Sequence, residues 1–143
     1  MKIAITIPTG RPRVKSVVKA FLDNAIFHGY DPKNFSVYLS IDTSFKKTRT
    51  RDFRLDSGLE KTLGKVVYIS PSDRKNLADE ITKETGADAL ITKDLFSGRG
   101  YSRQRNSALL AALKDDNKIA ICLDDDEAPF IPVKQENGSL KWV

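Results

Sequence analysis

Apolar and polar positions fall along this chain in blocks that switch between two periods. Lys2 to Ile7 is a short apolar-rich run ended by Pro8, and it predicts a strand. After Thr9-Gly10-Arg11, Pro12 stands near the start of a segment in which Val14, Val17, Val18, Phe21, Leu22 and Ala25 recur at helical spacing. Gly29 stops that helix. Ser36 to Ile41 returns to a period of two, with Val37, Leu39 and Ile41 on one face. The basic stretch from Lys46 to Arg51 has no apolar period and predicts a mobile loop continuing to Gly64. Lys65 to Ile69 predicts a third strand. Ser72 to Thr85 predicts a helix with Leu77, Ala78 and Ile81 as its buried stripe and Gly86 at its end. Ala89 to Thr92 reads as a brief strand, and Asp94 to Tyr101, with Gly98 and Gly100, as a loop.

The last predicted helix runs from Ser102 to Lys114. Ser102, Asn106, Leu109 and Leu113 share one face, so the spacing directs the two leucines to the core and the polar pair toward a ligand. Ile119 to Leu123 is a continuous apolar run that predicts a buried parallel strand. Asn137-Gly138 predicts a hairpin turn between Ile131–Gln135 and Leu140–Val143. The alternation of strand and helix indicates an α/β chain: a Rossmann-like three-layer α/β/α sandwich on a mostly parallel sheet, in a single domain over residues 1–143.

Four acids in a row, Asp124, Asp125, Asp126 and Glu127, follow the last apolar run directly. Open α/β sheets bind ligands beyond the carboxyl ends of their strands. Clustered carboxylates repel one another unless water or a cation intervenes. Hard divalent cations such as Mg²⁺ or Mn²⁺ take oxygen ligands of this kind, usually beside substrate phosphates. The pattern therefore predicts a metal site where a strand runs out. A solvated acidic turn is the plainer alternative.

The net charge of +5 makes the acid run stand out and suits a polyanionic ligand. The one cysteine, Cys122, allows no disulfide within the chain and reads as a small buried hydrophobe. The one histidine, His28, reads as structural or surface. No run reaches the roughly 18 apolar residues of a transmembrane helix. The opening residues are too short for a signal-peptide core, so a cytoplasmic location is expected. Pro8-Thr9-Gly10 lacks the Gly-Lys-Ser/Thr ending of a P-loop. Arg99, Arg103 and Arg105 form a basic cluster suited to phosphates, with Tyr101 nearby read as packing. Phe45 and Phe53 flank the basic loop, a pattern too sparse to predict nucleic-acid binding.

The ordered motifs resemble those of GT-A fold glycosyltransferases, in particular the large inverting group often called family two. Ile7-Pro8-Thr9 with Arg11 is similar to that family's opening strand and turn. Asp42 and Ser44 are similar to its acidic turn over the nucleobase, Arg105-Asn106 to its Arg-Asn pair, and Asp124-Asp125-Asp126 to its DXD motif. The resemblance runs from Lys2 to about Pro132. It implies a nucleotide-diphosphate sugar as donor and a divalent metal, manganese or magnesium, bridging its phosphates. It further implies that Asp42 meets the base, that Arg105 lies near base or phosphates, that Asp124 faces ribose or sugar, and that Asp126 ligates the metal. Alternation along an extended segment would send Asp124 and Asp126 to one side, as metal-facing residues, and Asp125 to the other. In that family the general base lies beyond the DXD motif. The expectation is thus a truncated, donor-binding half: a fragment, a very small natural version, or a chain that works with another domain or chain supplying the acceptor site.

Two other classes fit the same acids: a Mg²⁺-dependent nuclease or phosphotransferase, and a non-catalytic nucleotide-binding module. A nuclease tends to add a carboxylate from another strand end, and the first strand ends in Ile7-Pro8-Thr9 without one. Asp42-Thr43-Ser44 also suffices as a simple turn, and Arg105 and Asn106 as a solvated arginine and a helix-start asparagine.

Overall fold

A computed structural model describes residues 1–44, 46–129, 132–136 and 138–142. Strand β1 (Ile3–Thr9) is buried along its whole length, because it lies inside the sheet and is covered on both faces. It pairs in parallel with β2 (Phe35–Ile41), from Ile3↔Phe35 to Thr9↔Ile41. On its other side it pairs in parallel with β4 (Ile119–Cys122), from Ile3↔Ile119 to Thr6↔Cys122. Beyond β2 lies β3 (Lys65–Ile69), also parallel. The order β3-β2-β1-β4 means the chain builds outward from β1 in one direction, then returns to place β4 on the other side.

Helix α1 (Val14–Phe27) covers one face. Its Val14, Val17, Val18 and Leu22 pack on Ile3, Ile5 and Ile7 and on Val37, Leu39 and Ile41, as the two periods require. The other face carries α3 (Pro71–Thr85) and α5 (Tyr101–Lys114), with Ala108 and Ala112 packed among Ala4, Tyr38 and Ile69. The result is an α/β/α arrangement on a four-stranded parallel sheet, consistent with a Rossmann-like fold. Ser70 caps α3 reciprocally with Asp73, Pro71 opens it, and Gly86 closes it in the left-handed conformation at φ 69°. A separate antiparallel pair, β5 (Pro132–Lys134) and β6 (Leu140–Trp142), matches the expected hairpin. Ile131, Asn137 and Val143 of that expectation, and Phe45 beside the basic loop, lie outside the described residues.

Several expectations need correction. Ala89 to Thr92 is not a strand but the start of helix α4 (Ala89–Phe96), which also takes the first residues of the expected loop. The Asp88 carboxylate accepts from the backbone N–H of Leu90 and Ile91, and that N-cap decides the conformation over β propensity. The expected long loop to Gly64 contains a 3₁₀ turn (Thr50–Phe53) and helix α2 (Ser57–Thr62), both anchored through Phe53, Leu55 and Leu63 in the core. Helix α5 is turned from its expected face. Gln104, Ser107, Ala108 and Ala112 are buried, whereas Leu113 is 61% exposed. Small residues let the helix lie close on the sheet, so the stripe of small side chains, not leucines, marks the packed face.

Strand β4 is parallel as expected but not buried. It is the sheet edge; Ile119 and Ile121 are 42% and 39% exposed, and Cys122 is exposed, contrary to its reading as a buried hydrophobe. Edge position removes one covering neighbour whatever the sequence of the strand. No helix among the described residues is long and apolar enough to cross a membrane.

The α5 packing sets a direct test. Ala112→Leu should destabilise the fold by about 1–3 kcal/mol through overpacking, while Leu113→Ala should stay within about 0.5 kcal/mol. Urea unfolding midpoints would measure both. The reverse ranking would contradict the packed face described here.

Candidate nucleotide-binding site

The strand order reverses between β1 and β4, and a pocket of about 400 Å³ opens there, beyond the carboxyl ends of β1, β2 and β4. Pro8, Thr9 and Arg11 line it from β1, Asp42 from β2, and Asp124, Asp125 and Asp126 from the segment after β4. Two joins fix these ends. The Asp42 N–H donates to the Thr9 carbonyl at 2.7 Å, and the Leu123 N–H donates to the Thr6 carbonyl at 3.0 Å. Leu123 is buried in the α1-side core, so the acid run begins from an anchored residue.

The acids do not alternate as expected. The Glu127 N–H donates to the Asp124 carbonyl at 3.3 Å, and the Glu127 carboxylate accepts from the Asp124 N–H at 2.8 Å. The chain therefore turns at Asp125-Asp126, and the period of two is lost where the strand stops. Asp125 and Asp126 share one side: Arg11 Nη1 lies 3.4 Å from Asp125 Oδ1 and 3.2 Å from Asp126 Oδ2. Arg13 Nη2 lies 3.5 Å from the same Asp126 oxygen. The buried Thr9 hydroxyl donates to Asp125 Oδ2 at 2.9 Å and fixes that carboxylate. Asp124 points elsewhere and pairs with Arg105 Nη2 at 2.6 Å. Desolvation, followed by the charges of Glu127, Asp126 and Asp125, pushes the Asp124 carboxyl above its ordinary value, against the pull of Arg105.

Asp42 is held on both oxygens. Oδ1 accepts from the Ser44 N–H at 2.9 Å and the Ser44 hydroxyl at 2.6 Å, and Oδ2 accepts from Gln104 Nε2 at 3.2 Å. Ser44 thus orients Asp42 from outside the pocket lining. Gln104 was missed by sequence reasoning; it is 4% exposed, and a buried polar residue at the head of the small-residue stripe is the signal that could have found it. Tyr101 lines the pocket too, with the Arg105 guanidinium 4.9 Å from its ring centroid, so it faces the site and does not pack in the core.

Besides Ser44, the expected contributors Arg99, Arg103, Arg105 and Asn106 are absent from the pocket lining. The Asn106 amide donates to the Leu95 carbonyl at 3.0 Å and closes the C-terminal end of α4. Arg103 is tied to the Asp94 carboxylate and to the backbone carbonyls of Asp94 and Arg99. Of the three-arginine cluster, Arg105 alone has its described partners at the pocket.

Among the described residues, no three His, Cys, Asp or Glu side chains converge to hold a metal unaided. The expected ligands Asp124 and Asp126 each carry hard carboxylate oxygens but face different arginines, Arg105 for Asp124 and Arg11 with Arg13 for Asp126. Mg²⁺ is commonly held by one or two carboxylates, with the other positions left to phosphate and water. The residues suit a cation shared with a phosphorylated ligand and do not suit an all-protein cage.

No family model matches this chain, and no curated protein or solved structure matches it. The fold defines it as a parallel-sheet α/β protein with a polar pocket at its switch point.

The raised Asp124 carboxyl gives a pH dependence with a definite sign. The folded chain holds the Asp124 proton to higher pH than the unfolded chain does. This residue therefore favours folding more at low pH and loses that contribution as pH rises from the ordinary carboxylate value through the raised one. In Asp124→Asn, urea midpoints followed across the carboxylate range should lose that decline. An unchanged profile would contradict the assignment.

Proposed function

We propose that this chain is the donor-binding domain of a GT-A type glycosyltransferase, taking a nucleotide-diphosphate sugar together with Mn²⁺ or Mg²⁺. One observation carries the reading. A single pocket at the switch point of the sheet collects a fixed carboxylate just after β2, an acid run after β4, and arginines paired with that run. Asp42, with its oxygens oriented by Ser44 and Gln104, is suited to accept from a base N–H or a ribose hydroxyl. Pro8 and Thr9 form the wall beside it. Arg11, Arg13 and Arg105 are matched to the oxygens of a diphosphate, whose geometry a guanidinium meets with two parallel N–H groups. A divalent cation drawn to the acid run would offset the negative charge that grows on the departing diphosphate. The arginines now paired with those acids would then be available to phosphate.

Calorimetry with UDP, GDP, ADP and CDP, each with and without Mn²⁺, tests the reading. Binding of at least one is expected to require the metal. Asp126→Ala should lower that affinity by at least about tenfold while leaving the unfolding midpoint near that of the parent. Metal-independent binding, or none, would contradict the reading. Cleavage of DNA or RNA with Mg²⁺ would favour the nuclease alternative.

A further inference from the structure

Arg74 is a fully buried cation, 1% exposed, on α3, outside the pocket lining. A buried guanidinium costs several kcal/mol in desolvation unless its surroundings compensate. Burial draws the Arg74 pKa down, and the charges of Asp42 first and Asp73 second oppose that. Its Nε has no hydrogen-bond partner among the described residues. A merely space-filling role at this position would be met more cheaply by leucine or methionine. The acceptors it does reach explain the choice.

The peptide unit joining Ile41 to Asp42 sends its N–H to the Thr9 carbonyl on the β1 side. A trans peptide then points its carbonyl the opposite way, toward β3. The last pair in that ladder is Ser40↔Ile69, so β3 offers no donor at this level. Arg74 Nη1 supplies it, donating to the Ile41 carbonyl at 2.6 Å. The other amino group, Nη2, donates at 3.1 Å to the carbonyl of Gly98. Gly98 stands at φ +86° and Gly100 at φ +118°, in the loop that leads into α5. Gly100 lines the pocket, and Gln104 on the first turn of α5 holds the Asp42 side chain. The guanidinium thus closes a circuit: the Ile41–Asp42 peptide, through the Ile41 carbonyl, to Arg74, Arg74 to the glycine loop, the loop to Gln104, and Gln104 back to the Asp42 carboxylate.

We propose that Arg74 is a positioning residue that locks the Asp42 wall of the pocket to the Gly98–Gly100 loop, so that base recognition and ordering of that loop are one event. The inference rests on the reading of Asp42 as the base contact. Pyrophosphate, which engages the acid–arginine side, does not use this lock. A residue needed only for folding would weaken both ligands alike.

The experiment compares the nucleoside diphosphate that binds the parent protein with inorganic pyrophosphate, both with Mn²⁺. Arg74→Lys keeps the charge, but its single ammonium cannot span both carbonyls. It should lower nucleoside diphosphate affinity by about tenfold relative to pyrophosphate, a loss in the usual range for coupled sites. Equal losses for both ligands, or none, would overturn the proposal. A second measurement uses the parent protein alone. Hydrogen exchange at residues 98–101 should slow together with that at residues 42–44 when nucleoside diphosphate binds, and not with pyrophosphate. Protection confined to residues 42–44 would overturn it. If no nucleoside diphosphate binds the parent protein, the functional reading fails and this inference falls with it. Binding to the parent with no selective loss in Arg74→Lys removes the inference alone.

Discussion

Parallel pairing of β1 with β2 on one side and β4 on the other is the constraint on which the rest depends. Three parallel strand ends must point the same way, so Thr9, Asp42 and the acids after Cys122 arrive at one edge of the sheet. Parallel strands also need long crossovers, and these place α1 on one face with α3 and α5 on the other. The reversal of direction between β1 and β4 leaves the gap that becomes the pocket. Had β4 been added beyond β3, two strands would separate the acids from Thr9 and Arg11.

Electrostatics then shape that gap. Three consecutive aspartates are tolerable because arginines from two directions meet them, Arg11 and Arg13 on one side and Arg105 on the other. These pairs are partly exposed, so each contributes little to stability. Their consequence is a pocket with partly exposed counter-charges around an anchored backbone. A cation and a polyanion arriving together could exchange partners with them at small net cost. Beneath this layer, Arg74 holds the Ile41 carbonyl just before Asp42, and Gln104 holds the Asp42 side chain.

Much of the frame was legible in the sequence. Strands β1, β2 and β3 and helices α1 and α3 follow from apolar period, proline position and glycine stops, and all are local signals. So was the gathering of Pro8, Thr9, Arg11, Asp42 and Asp124 to Asp126, because strand ends in a parallel sheet converge by rule. What the sequence hid rests on local caps and strand ends as well as on contacts distant along the chain. The α4 segment carries strand-like residues, and a single Asp88 cap overrides them. The α5 face was misread because leucines outweigh alanines in any hydrophobic pattern, although alanines pack closer. The sidedness of Asp124 and Asp126 failed because the strand ended two residues earlier than the acids. Arg74 gave no signal at all, since an arginine on a helix reads as surface until its acceptors are seen.

Paramagnetic broadening of backbone amide resonances by Mn²⁺, with nucleoside diphosphate present, tests the location of the site most directly. Broadening should centre on residues 9–11, 42–44, 101–105 and 124–127, at the carboxyl ends of β1, β2 and β4. Broadening centred at the opposite end of the sheet, around Lys2, Lys65 and Asp115, or no localised effect, would contradict the account.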